Sequence, residues 1–166
     1  MYTPSKYKEL ILLLLQKLGN TIEGKKKLAK LLYFIDFDFF EWKGKSVTNE
    51  TYYAREMGPL GINLQGILNE LKAEKKIRIV KNEKEGYASY VYSLNGAPKT
   101  ELFSKDEIKM INRVAKKYGL LNGKQLEDLT HNEAPYLGTE LNQEIDYELS
   151  IYRGTEFNKL DSVSKT

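Results

Sequence analysis

Six aliphatic residues stand in a row at Leu10-Ile11-Leu12-Leu13-Leu14-Leu15. A helix carrying that run is apolar around most of its circumference, so other elements must cover it on several sides and it belongs at the centre of a fold. The run falls well short of the ~20 residues that span a bilayer, Lys8 and Lys17 flank it, and no small-residue cleavage site follows. The expectation is a buried helix from about Ser5 to Leu18 in a cytoplasmic protein with no membrane partner. Pro4 is its start signal and Gly19-Asn20 its stop.

A second helix is expected over Lys25–Lys43. Leu28, Leu31, Leu32, Ile35, Phe39 and Trp42 follow helical spacing, and Tyr33, Phe34, Phe37 and Phe40 put aromatic surface on the other faces. Val47–Glu56 is β-prone and is bounded by Gly58-Pro59, which reads as a turn. Leu60, Leu64, Ile67, Leu68 and Leu71 then predict a third helix over about Leu60–Lys75. Ile77–Lys81 and Tyr87–Leu94 alternate like strands around a hairpin turn at Glu85-Gly86. Ser104, with Glu107 three residues on, is a capping box that opens a fourth helix, which Gly119 ends. A shorter helix follows over about Gly123–Thr130, before Pro135 interrupts the pattern. At 166 residues the chain fits one domain by the usual ~100–200 residues per domain. The expected fold class is mainly α with a small antiparallel β-sheet or hairpin (α+β). It is read as a single compact helical domain over residues 1–160 with a polar C-terminal tail, residues 161–166.

Composition removes several kinds of chemistry. There is no cysteine and one histidine, His131. That excludes disulfide frameworks, thiolate zinc sites, iron–sulfur clusters, cysteine nucleophiles and two-histidine metal motifs. Neither a G-x-x-x-x-G-K-[ST] loop nor a G-x-G-x-x-G turn is present, so no cofactor is expected. Lys plus Arg number 26 and Asp plus Glu 23, a net charge of +3, which gives no support to binding a polyanion through bulk charge. The order helix, short strand, helix, hairpin is that of a winged helix, so a DNA-binding transcriptional regulator is the alternative reading. In it the Leu60–Lys75 helix enters the major groove, yet Asn63, Asn69, Glu70 and Lys72 make a weakly cationic outer face. The Lys25-Lys26-Lys27 triplet reads as solvated helix surface.

Three groups of residues could carry function. Asp36 and Asp38 lie inside the aromatic helix, but residues two apart on a helix point about 200° apart, so they cannot converge on one substrate atom. One is expected to face solvent; the other, if buried, needs a hydrogen-bond donor, for which Arg55 and His131 are candidates. His131, Glu133, Pro135 and Tyr136 lie in Thr130-His131-Asn132-Glu133-Ala134-Pro135-Tyr136. Without a nucleophile beside it, the histidine reads as a structural residue at a helix C-terminus rather than a general base. Tyr52, Tyr53, Tyr87, Tyr90 and Tyr92 all sit in β-like segments, where alternate side chains face opposite ways, so some must be at the surface. Exposed tyrosines beside Arg55 are what protein interfaces favour. No assembled catalytic set emerges, and the chain is not expected to be an enzyme.

The stretch Lys30-Leu31-Leu32-Tyr33-Phe34-Ile35-Asp36, then Gly44, then Thr51-Tyr52-Tyr53-Ala54-Arg55-Glu56-Met57-Gly58-Pro59, resembles the Panacea (SocA-like) antitoxin domain. His131-Asn132-Glu133-Ala134-Pro135-Tyr136 is similar to that family's H-x-E-x-P-aromatic element, with Tyr136 standing where many relatives carry Trp. The resemblance extends from about Ser5 to about Phe157. It implies an antitoxin of a type II-like toxin–antitoxin system in a bacterium or prophage. Such a protein neutralises, by direct contact, a protein toxin encoded by a neighbouring gene, and in one relative it delivers that toxin to a protease. The expected toxin-binding residues are Asp36, Asp38, Tyr52, Tyr53, Arg55 and Glu56, with Tyr147, Glu148, Tyr152 and Arg153 as a second patch.

Overall fold

In the computed structural model, which describes residues 1–84, 86–155 and 157, the aliphatic run lies on α1, Pro4–Lys17. Pro4 opens the helix, and residues Leu10 to Leu15 are each no more than 2 % exposed. The chain leaves α1 through Gly19 and Asn20, both at positive φ. Glu85 of the expected hairpin turn, the Tyr87 side chain and the expected tail, 161–166, lie outside the described residues. Among the described residues no helix is long and apolar enough to cross a membrane.

The second helix, α2, spans Lys25–Lys43, and every residue from Leu28 to Phe39 is buried. It is the axis of the molecule: α4 (Lys105–Tyr118), α5 (Gly123–His131) and a 3₁₀ segment at Tyr147–Arg153 all pack on it. Gly44 ends α2 in the left-handed conformation, its N–H returning to the Phe40 carbonyl at 2.8 Å. The predicted capping box of α4 is present, Ser104 accepting from the Glu107 N–H and Glu107 from the Ser104 N–H. A second box, Asn122 with Gln125, starts α5. Pro135 does not merely interrupt the pattern: it opens a short further helix, α6, Ala134–Leu137.

Two small antiparallel sheets complete the fold. A three-residue strand, β1 (Thr21–Glu23), escapes the sequence reading because only Ile22 of its residues is buried. It pairs with β5 (Tyr87–Leu94), which pairs with β4 (Ile77–Lys84), giving the order β1-β5-β4. The second sheet corrects the sequence reading. Val47–Glu50 is loop, and only Tyr52–Arg55 is extended, as β2. Gly58–Gly61 is not a turn followed by helix but a strand, β3, paired with β2 across a tight turn at Glu56-Met57. The third helix, α3, therefore begins four residues later than expected, at Leu64, and runs to Ala73. Leu60 matches the helical period by coincidence; the two glycines and Pro59 around it mark a strand hemmed in by neighbours. A Cβ at Gly61 would lie 2.8 Å from the Glu50 carboxylate. The expected winged-helix order of helix, short strand, helix and hairpin is not what forms, because the two-stranded β2–β3 hairpin stands between α2 and α3. The exposed face of α3 carries Gln65, Asn69, Glu70 and Lys72, with Glu70 bound to Lys8 at 3.0 Å.

Candidate functional site

Neither aspartate of α2 faces solvent, contrary to expectation: Asp36 is 0 % and Asp38 2 % exposed. Because the whole central part of α2 is covered, opposite faces of this helix both point inward. Nor do Arg55 and His131 serve them. Asp36 Oδ1 accepts the Val47 and Thr48 N–H groups at 3.0 and 2.9 Å, and Oδ2 accepts the Thr48 and Tyr52 hydroxyls at 2.6 and 2.7 Å. Burial pushes its carboxyl up to about 6, against those four hydrogen bonds, which favour the charged form. The role is architectural: Asp36 ties the loop after α2 to β2. Glu50, 1 % exposed, extends the tie by accepting the Asn63 N–H at 2.9 Å just ahead of α3.

Asp38 belongs to an internal ion cluster. Arg153 donates to Asp38, to Glu41 at 2.8 Å and to Glu133 at 3.1 Å; Arg113 reaches Asp38 from α4 at 2.9 Å. Tyr33 donates to Glu133 at 2.9 Å. Burial raises the Glu133 carboxyl above its ordinary value, against the pull of Arg153 and the Tyr33 hydrogen bond. One guanidinium fork thus joins α2, the α5–α6 junction and the 3₁₀ segment, the planar multi-donor geometry for which Arg is suited.

These contacts divide the residues expected from sequence. Asp36, Asp38 and Tyr52 lie inside and hold the edge together; Tyr53, Arg55 and Glu56 stand on it. Arg55 and Glu56 are exposed and Tyr53 is half-buried, with the Arg55 guanidinium 5.0 Å from the centre of the Tyr53 ring. The strand alternation anticipated for the tyrosines holds at Tyr52, which faces the core, and its half-buried neighbour Tyr53. Tyr90 and Tyr92, two apart, share a face of β5, along which Tyr92 is buried and Tyr90 is 46 % exposed. In the second patch, Arg153 is committed to the ion cluster. Tyr147 is half-buried against the core, stacked on Phe37 and donating to the Glu50 carbonyl at 2.5 Å. Glu148 and Tyr152 are exposed. His131 ends α5, as expected, and its ring stacks on that of Tyr136 with centres 4.6 Å apart. Tyr136 in turn donates to the Arg55 carbonyl at 2.7 Å. The His131–Tyr136 element is therefore a brace for the β2–β3 hairpin.

One residue of the site escaped the sequence reading. Lys30 is only 3 % exposed, and its one hydrogen bond among the described residues goes to the Pro59 carbonyl at 3.0 Å. Burial pulls its amine down to about 8. Gly58 makes room for it: the backbone there has φ +105°, and a Cβ would lie 2.6 Å from Lys30 Cε and 2.9 Å from Thr130 Oγ1. The lysine of the first quoted motif, the glycine of the second and the threonine just before the third therefore meet in space. The signal was in the sequence, as a lone lysine in an otherwise apolar stretch of helix, Leu28 to Ile35.

The family model described as antitoxin SocA-like, Panacea domain, matches residues 28–136, about two-thirds of the chain. The chain belongs to that family. Comparison with curated proteins and with solved structures finds no match. The matched span is narrower than the resemblance read from the motifs. It opens two residues before Lys30 and closes on Tyr136, so it contains the hairpin, its brace and Lys30, while Tyr147 and Arg153 secure this unit from outside it.

Proposed function

We propose that this chain is the antitoxin of a type II-like toxin–antitoxin pair. It neutralises a protein toxin, encoded by a neighbouring gene, by binding it directly in the cytoplasm, and it acts by occlusion rather than by turnover. The observation that carries this reading is the family match across residues 28–136, the span that holds the β2–β3 hairpin. The build of that hairpin supports it. Arg55 and Glu56 are presented on a backbone held from beneath by Asp36 and from the side by Tyr136, so little order has to be gained on binding. Aromatic and arginine side chains on a rigid edge are what binding hot spots use.

The test is co-expression with the adjacent gene. Growth should be arrested by that gene alone and restored when this chain is present, and the two proteins should co-purify. Alanine at Tyr53, Arg55 and Glu56 together should abolish rescue while leaving the melting temperature within a few degrees. Full rescue by the triple variant would place the interface elsewhere, and absence of any association with the neighbour would end the antitoxin reading. Loss of the toxin over time, dependent on a host protease, would show delivery rather than simple occlusion.

A further inference from the structure

Beside the hairpin, between it and the first turns of α2, lies a pocket of about 250 Å³. Ala29, Met57 and Leu60 supply apolar wall, and Lys25, Lys30 and Arg55 are the charged residues that line it beside the paired Lys26. Lys30 is an ammonium-bearing side chain almost wholly removed from water, with no carboxylate bound to it among the described residues. An ammonium has three N–H donors, and one hydrogen bond to Pro59 uses only one of them. A buried cation left in this condition costs stability unless something completes it. None of Lys25, Lys27, Lys30 and Arg55 forms an ion pair among the described residues; Lys26 is neutralised by Glu127 at 2.9 Å. The pocket shares Lys25, Lys26 and Met57 with a larger groove of about 930 Å³, which continues past Lys27 to Leu120 and to Lys124, itself paired with Glu127 and Asp128, with Glu23 as the one carboxylate residue lining it among the described residues. Met57 and Leu120 are 60 % and 99 % exposed.

We propose that this pocket seats an aspartate or glutamate side chain of the protein partner, its carboxylate paired with Lys30 and the rest of an acidic, apolar-spaced segment lying along the groove. The assignment rests on the antitoxin reading, whose partner it characterises chemically. Three observations select a peptide over a free small anion. The pocket wall is apolar, the groove shares Lys25, Lys26 and Met57 with it, and the exposed Met57 and Leu120 line the groove together with Lys25 and Lys27, which form no ion pair among the described residues. A free anion would use the floor of the pocket and none of the rest.

Calorimetric titration of the full chain with two blocked peptides tests this. One alternates leucine with glutamate; the other alternates leucine with glutamine. The glutamate peptide should bind at least tenfold more tightly. Lys30→Met, which keeps the length and removes the charge, should weaken it at least tenfold, and so should Arg55→Glu, an exposed change that the fold tolerates. The glutamine peptide should be indifferent to both. Equal binding of the two peptides, or indifference of the glutamate peptide to both variants, overturns the assignment. Displacement of the glutamate peptide by acetate at matched carboxylate concentration also overturns it, by showing that a small anion suffices. Growth rescue by the wild-type chain without peptide discrimination refutes the pocket and leaves the antitoxin reading standing; discrimination without rescue does the reverse.

Discussion

Replacing Lys30 by Met should stabilise this protein at neutral pH and remove a dependence of its stability on alkaline pH. In the folded chain, burial brings the Lys30 amine from 10.5 to about 8. In the unfolded chain the amine keeps its proton until about 10.5. Between those two values the unfolded state binds more protons, so stability rises with pH there; below 8 the amine is charged in both states and the cost of burying it is felt in full. The fall from 10.5 to about 8 corresponds to about 3 kcal/mol at ~1.4 kcal/mol per pH unit. Methionine avoids that cost but forfeits the hydrogen bond to Pro59, worth about 1 kcal/mol. A net gain of about 2 kcal/mol at pH 7 follows, shrinking as pH rises above 8. Guanidinium unfolding of both chains between pH 7 and 9.5, followed by circular dichroism, measures the difference. Taking the difference cancels the buried tyrosines, whose hydroxyls are raised and common to both proteins. A Met variant that is less stable at pH 7, or a difference that stays constant across this range, would refute the picture of a buried ammonium whose desolvation outweighs the Pro59 hydrogen bond and the nearby Glu127 charge. A residue that costs the fold stability and sits in a pocket beside the hairpin is the pattern expected of a group kept for binding.

Arg153→Met should cost about 3–5 kcal/mol, because Asp38, Glu41 and Glu133 lose a shared cation while still buried or half-buried; denaturant unfolding checks this, and a loss under 1 kcal/mol would mean that water reaches the cluster. Gly58→Ala should destabilise by more than 1 kcal/mol, since its φ of +105° and the 2.6 Å approach to Lys30 both oppose a Cβ. Pairing it with Lys30→Ala should recover the part due to the clash and leave the part due to backbone conformation. Asp36→Asn should cost about 2–3 kcal/mol by removing the charge that four donors solvate and replacing the acceptor between the Thr48 and Tyr52 hydroxyls with a donor, and it should loosen the loop at Val47 and Thr48 in hydrogen exchange. Unchanged exchange there would remove Asp36 from its role as the tie between α2 and β2.

Periodicity and capping are local properties, and what depends on them was legible in the chain. The boundaries of α2, the boxed start of α4, the hairpin of β4 and β5 and the mainly α class with small antiparallel sheets follow from residues a few positions apart. The family, too, could be read from three short motifs. Long-range packing was not legible. Leu60 fits a helix by spacing and lies in a strand, flanked by Pro59 and Gly61, where Gly58 and Gly61 at the two ends of the strand are pressed against Lys30 and Glu50. Asp36 and Asp38 look like surface acids on opposite faces of a helix, yet α2 is covered all round, and their donors come from residues up to 115 positions away. Lys30 carries the same charge as the lysines of the triplet before it; only the closure of the hairpin over α2 removes it from water and makes it part of a pocket's lining. Spacing along a chain states which side chains share a face, whereas desolvation depends on what is folded against that face, and that is settled by contacts between segments far apart in sequence.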